Sequence, residues 1–163
     1  MKPGDPTTIV KSRPISVSPS CAKAILENRK VMVRQLADQS ESVCPFGHPG
    51  DLLWVREPWA LVNAFAVYRS TYTAQSHVDW QPAKSMPEEH AQLWLRLNAA
   101  RLERLSDIPA GDLASEGSLW LEHPIAGESP KAGFARWWDS LHPRPGTRWA
   151  DDPWVWVLSF TRT

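Results

Sequence analysis

Cysteine is scarce in this chain: two residues, Cys21 and Cys44, among 163. A disulfide-stapled scaffold is thereby excluded, and none is needed, since a folded chain of this length buries roughly 70% of the surface its unfolded form exposes. Two cysteines and no secretory leader set the expectation of a reducing, cytoplasmic compartment. Long apolar runs are missing as well; none approaches the roughly 20 residues that a membrane-spanning helix requires. Net charge is absent, with eighteen basic against eighteen acidic side chains. That balance argues against a broad basic surface gripping nucleic acid through phosphates alone, so any such contact must be local. No phosphate-binding P-loop, dinucleotide-binding glycine pattern or serine nucleophile elbow appears. Cys44-Pro-Phe-Gly-His48 resembles half a metal site, but His77, His90, His123 and His142 fall into no paired ligand spacing, and neither metal nor cofactor is expected.

Proline and tryptophan are abundant instead, with fifteen of one and ten of the other. The prolines are dispersed and shorten the regular elements between them. Ten indoles mean either a dense small core or exposed stacking faces. Residues 1–14 read as an extended or partly disordered lead-in and 15–163 as one domain. Ser18-Pro19 offers a helix cap followed by proline at the first helical position, and Ala22, Ile25 and Leu26 continue an amphipathic helix that Asn28 can close. Lys30-Val31-Met32-Val33-Arg34 alternates as a half-buried strand, which puts both cations and Met32 on one face. His48-Pro49-Gly50-Asp51 is a type II turn that launches LLWVRE, a strand ended by Pro58. Residues 63–92 carry Phe65, Tyr68 and Tyr72 with little periodicity. The stretch 93–105 fits helix by propensity and strand by the alternation of Leu93, Leu95 and Leu97. Ser106 and Asp107 are cap candidates for a helix over 109–116 that Gly117 ends. A further helix is expected over 134–141 and a buried strand over 154–160.

The candidate functional residues each have a plainer reading. Lys30 and Arg34 are a ligand-facing pair or a solvated face. Arg56 and Glu57 are a structural ion pair at a sheet edge or part of a site. Trp59, Tyr68 and Trp80 are stacking platforms for a base, or core and helix packing.

Four segments in series, ILENRKVMVR (25–34), CPFGHPGDLLWVREPWA (44–60), RLERLSDIPAGDLASEG (101–117) and DDPWVWVLSF (151–160), resemble the ASCH-domain family, and more narrowly its prophage-encoded members. The resemblance implies an α+β, PUA-like fold: a small mixed β-barrel flanked by short helices, with residues 93–104 as strand and a cleft on one side. It also implies a nucleic-acid or modified-nucleoside role, because a bacterial ASCH relative is an amidohydrolase that removes the acetyl group of N(4)-acetylcytidine. That relative uses a lysine, a threonine three residues later and a glutamate at a helix end. Carried over, these positions are Lys30, Val33 and Glu116. Valine has no hydroxyl, so the nucleophile of that mechanism is missing. Asn28 stands where the family has glycine. The expectation is an RNA- or nucleotide-binding domain whose cleft is lined by Lys30, Arg34 and Glu116, with Arg56, Glu57, Trp59, Tyr68 and Trp80 as further ligand contacts. Single-stranded RNA or a nucleoside or nucleotide is the expected partner. The runners-up are a hydrolase with Lys30 and Glu116 as catalytic residues, acting on an acylated cytidine or on RNA, and a phage accessory protein acting through protein contacts.

Overall fold

A computed structural model describes residues 9–38 and 41–163. Strand β1 (Ser12–Ser16) leads into helix α1 (Pro19–Leu26), whose N-cap Ser18 accepts a hydrogen bond from the Cys21 amide. The helix closes as a Schellman turn: Asn28 sits at φ 58° and donates to the Ile25 carbonyl, and the Arg29 amide donates to that of Ala24. Asparagine's tolerance of the left-handed region is what this turn requires. Strands β2 (Met32–Leu36), β3 (Leu52–Arg56), β6 (Trp94–Arg104) and β7 (Trp154–Arg162) complete a five-stranded mixed sheet in the order β1-β3-β6-β7-β2. Only the β1–β3 pair is parallel. Strands β4 (Trp59–Val62) and β5 (Phe65–Tyr68) form a separate hairpin. Helices α2 (Ala110–Ser115) and α3 (Pro130–Leu141) lie between β6 and β7 in the chain.

The α+β class is as expected, and so is the strand reading of 93–104. Ser12, Arg13 and Pro14, placed at the end of the lead-in by the sequence, form part of β1; residues 1–8 lie outside the described part. The barrel is open. Its edge strands β1 and β2 are joined by no ladder; the Gln35 side-chain amide reaches the Ser16 carbonyl instead, at 3.3 Å. The expected caps of α2 also differ, because a 3-10 turn over Leu105–Asp107 takes up Ser106 and Asp107 and leaves Pro109 at the N-cap with no side-chain bond.

The sheet is buried on both faces, and β7 shows why its sequence is almost continuously apolar. Trp156, Leu158 and Phe160 pack with Ile25, Val33 and Leu95 on the α1 side; Val155 and Val157 pack with Met32, Phe134 and Trp138 on the α2–α3 side. At roughly 25 cal/mol per Å² of apolar area, these two layers are the main source of stability. Gly133 lets α3 approach closely, since a Cβ there would sit 2.3 Å from Trp120 Cδ1.

Candidate functional site

Strand alternation decides what each residue of the Lys30–Arg34 segment can reach. Met32 belongs to the layer under α2 and α3, Val33 to the layer under α1. Arg34 turns to Met32's side, where Nη1 donates to the Met32 sulfur at 3.4 Å. Lys30 precedes the strand and is fixed by its backbone, because Val31 N–H donates to the Ser115 carbonyl and Val31 C=O accepts from the Phe160 amide. The entry to β2 is thus bound to the end of α2. Gly117 follows that end at φ 94°, and a Cβ on it would lie 3.2 Å from the Lys30 Cβ.

An ionic network results, buried at its centre and open at its rim. Lys30 Nζ donates to Glu116 Oε2 (2.5 Å) and to the Glu116 carbonyl (3.0 Å). Arg34 Nη1 donates to Glu116 Oε1 (2.8 Å), and Nη2 to Glu103 Oε1 (2.6 Å) and Asp112 Oδ2 (2.8 Å). Arg101, half exposed at the rim, donates to the same Glu103 and Asp112. The Lys30 and Arg34 side chains are 0% exposed and that of Glu116 2%. Each ion costs several kcal/mol to desolvate, so burial is tolerable only because every charge faces an opposite one. Burial would pull the Arg34 pKa down, but the hydrogen bond to Asp112 and the field of Glu116 raise it overall. Asp112 is pushed up by burial and pulled further down by Arg34 and Arg101, ending below the usual aspartate value. Arg34 Nε has no partner, the one such buried side-chain polar atom among the described residues.

The gap between β1 and β2 is a cleft of about 250 Å³, walled by Val33, Arg34, Gln35, Trp137, His142 and Ser16. Trp137 connects it to the network, with Lys30 Nζ 5.4 Å from its ring centroid. His142 stacks on Trp138 at 3.8 Å, and burial lowers its pKa, which favours a neutral ring at neutral pH.

The structure brings Lys30, Arg34 and Glu116 together and sets the other expected residues apart from them. Arg56 and Glu57 form no ion pair. Arg56 donates to Ser16 Oγ at 3.1 Å, beside the cleft, and its guanidinium lies 5.8 Å from the Trp54 ring. Adjacent residues of an extended chain point to opposite faces, which keeps the two side chains apart. Glu57 is buried without a cation; its oxygens accept from Ser70 Oγ and Gln92 Nε2, and burial raises its pKa. It anchors the residues that follow β5 to those that precede β6. Trp59 donates its indole N–H to Ser85 Oγ, Tyr68 its hydroxyl to the His90 carbonyl, and Trp80 meets Tyr72 edge-on. These aromatics hold the hairpin and its following loop rather than line the cleft. Trp137, Glu103 and Asp112 were not singled out in the sequence. The alternation of Arg101 and Glu103 on one face of a strand that also pairs with β7 was the available signal for one of them.

No family model and no curated protein matches this chain. Among solved structures it is similar to the ASCH domain from Lactobacillus crispatus JV V101, at 16% identity over 87% of this chain and 69% of that one, with a TM-score of 0.45. It is also similar to a protein of Enterococcus faecalis V583 described by the family model DUF984, at 10% identity over 95% of this chain and 82% of that one, with a TM-score of 0.50. The class the fold defines is therefore an α+β domain with an open mixed sheet, an architecture it shares with the Enterococcus faecalis protein. No described helix is long and apolar enough to cross a membrane.

Proposed function

We propose that this chain is a cytoplasmic, prophage-type ASCH domain that binds RNA or a nucleotide by admitting a base to the cleft between β1 and β2. The observation that carries the reading is the wall of that cleft, where an indole and two unpaired strand edges meet over the buried Arg34. A base has a π-face for Trp137 and acceptors and donors along its edge for Gln35 and the strand backbone. Lys30 and Glu116 act behind the cleft: they fix Arg34 and Trp137 in place and do not themselves meet the ligand. Both Glu116 oxygens and the Lys30 ammonium are engaged with each other or with Arg34, which leaves no free base to activate water and favours binding over amide hydrolysis. Calorimetric titration with cytidine, N(4)-acetylcytidine and the other ribonucleosides tests this. At least one should bind and be recovered unchanged, with Trp137→Ala weakening it about tenfold, the scale of one lost base stack. Release of acetate from N(4)-acetylcytidine, abolished in Lys30→Ala, would replace the binder by the hydrolase.

A further inference from the structure

The cleft does not end at Trp137. Ser18, Trp137 and Leu141 also border a second hollow of about 480 Å³, with Arg69 and Arg136 on its walls. Pro19, Ser20 and Glu122 carry that one into a third, of about 740 Å³, walled by Lys23, Arg29 and Glu27. The three hollows share wall residues in series from the open sheet along the exposed side of α1, from its N-terminus to its last turn, and the Ser20–Glu122 hydrogen bond marks the boundary between the second and the third; together they are called the groove.

The groove's charge differs from that of the whole chain. Arg29 is held by Glu27 at 2.7 Å and Arg136 by Glu128 at 2.9 Å. Lys23 and Arg69 have no carboxylate partner among the described residues. Glu122, on the opposing wall, takes a hydrogen bond from Ser20. A chain of zero net charge thus keeps two cations without a carboxylate, against the one carboxylate of Glu122, along the hollows that lead away from a cleft sized for a base. Cations spaced along a groove next to a stacking aromatic match the sugar–phosphate backbone of a single strand, in which each nucleotide adds a charge and a base.

We infer that this groove is the track for the phosphate backbone of a single-stranded nucleic acid, with Lys23 and Arg69 as its phosphate contacts. The inference rests on the base-binding reading of the cleft and adds to it that the partner is a strand and not a free nucleoside. Mixed-sequence RNA of one, three and six nucleotides, with nucleosides alongside, is titrated over a salt series into wild type, the Lys23→Ala/Arg69→Ala double variant and Trp137→Ala. Affinity should rise with length. The double variant should bind the hexamer about tenfold more weakly at low salt and lower the log–log salt slope by about 1.4, two contacts at roughly 0.7 each for single strands. Its affinity for the nucleoside should be unchanged. A hexamer bound no more tightly than the nucleoside, or an unaltered salt slope in the double variant, overturns the track and leaves the cleft reading standing. Length-dependent, salt-sensitive binding indifferent to Trp137→Ala removes the cleft reading and keeps the track. Binding of neither nucleoside nor hexamer overturns both.

Discussion

Glu116 is the residue on which the interior charges depend, since it faces both Lys30 and Arg34 with 2% of its side chain exposed. Removing it strands the buried Lys30 and takes from Arg34 one of its three carboxylates, and breaking a buried pair from one side costs about 3–5 kcal/mol. Glu116→Ala should therefore lower the stability from urea unfolding by about that amount. Lys30→Met should cost clearly less, because Glu116 then retains Arg34 and the methionine stem still packs on Trp137. Equal losses in the two variants would mean that Arg34 does not hold Glu116 on its own. Lys30 and Arg34 could be paired from the sequence by spacing alone. Glu116 joined them only through the family resemblance, and Glu103 and Asp112 could not be found at all, because they lie 69 and 78 positions from Arg34.

Among the elements, those ended by strong local signals were legible. Gly50, at φ 98° in the turn before β3, and Ser18-Pro19 at the start of α1 are turn and cap chemistry that neighbouring residues cannot override. The start of α3 carries the same signal, Ser129 accepting from the Ala132 amide ahead of Pro130 at the first position, and it places the helix start four residues before the apolar pattern does. The β4–β5 hairpin was hidden for a physical reason. Its turn is Asn63-Ala64, both at positive φ (50° and 67°), where glycine is the usual second residue. Alanine in the left-handed region costs about 1–2 kcal/mol, against which the entropy of an added glycine returns roughly 0.5–1. Ala64→Gly is expected to raise the melting temperature by about 1–2 °C, for a net gain of about 0.5 kcal/mol. A fall in its place would show that the Ala64 methyl group contributes packing that outweighs its strain.

For the whole molecule, two carboxylates, one buried and one partly buried, pull the pH dependence of stability in opposite directions. Glu57 has a raised pKa in the folded chain, caused first by burial; its stabilising contribution is complete below the ordinary glutamate pKa and is lost as pH rises through the folded value. Asp112 has a lowered pKa, because Arg34 and Arg101 outweigh burial; its contribution is present above the ordinary aspartate pKa and is lost as pH falls through the folded value. Melting curves from about pH 4 to about pH 8 should show Glu57→Gln gaining on wild type as pH rises, and Asp112→Asn losing least at the acid end. A pH-independent offset for Glu57→Gln would mean that its carboxyl titrates alike in the folded and unfolded chains.

The α+β class was legible only as what the family resemblance implied, while the amino-acid sequence by itself determined the type II turn, α1, and the facing of Lys30 and Arg34 toward one side. Each of these depends on residues within a few positions of one another, or on the period of two along a strand. Tertiary structure alone decided that the sheet stays open, that Trp137 rather than Trp59 or Trp80 walls the cleft, and that both cations are neutralised inside the protein. Those outcomes depend on which distant segments meet, and the energy of a buried charge is set by its neighbours in space, not in sequence.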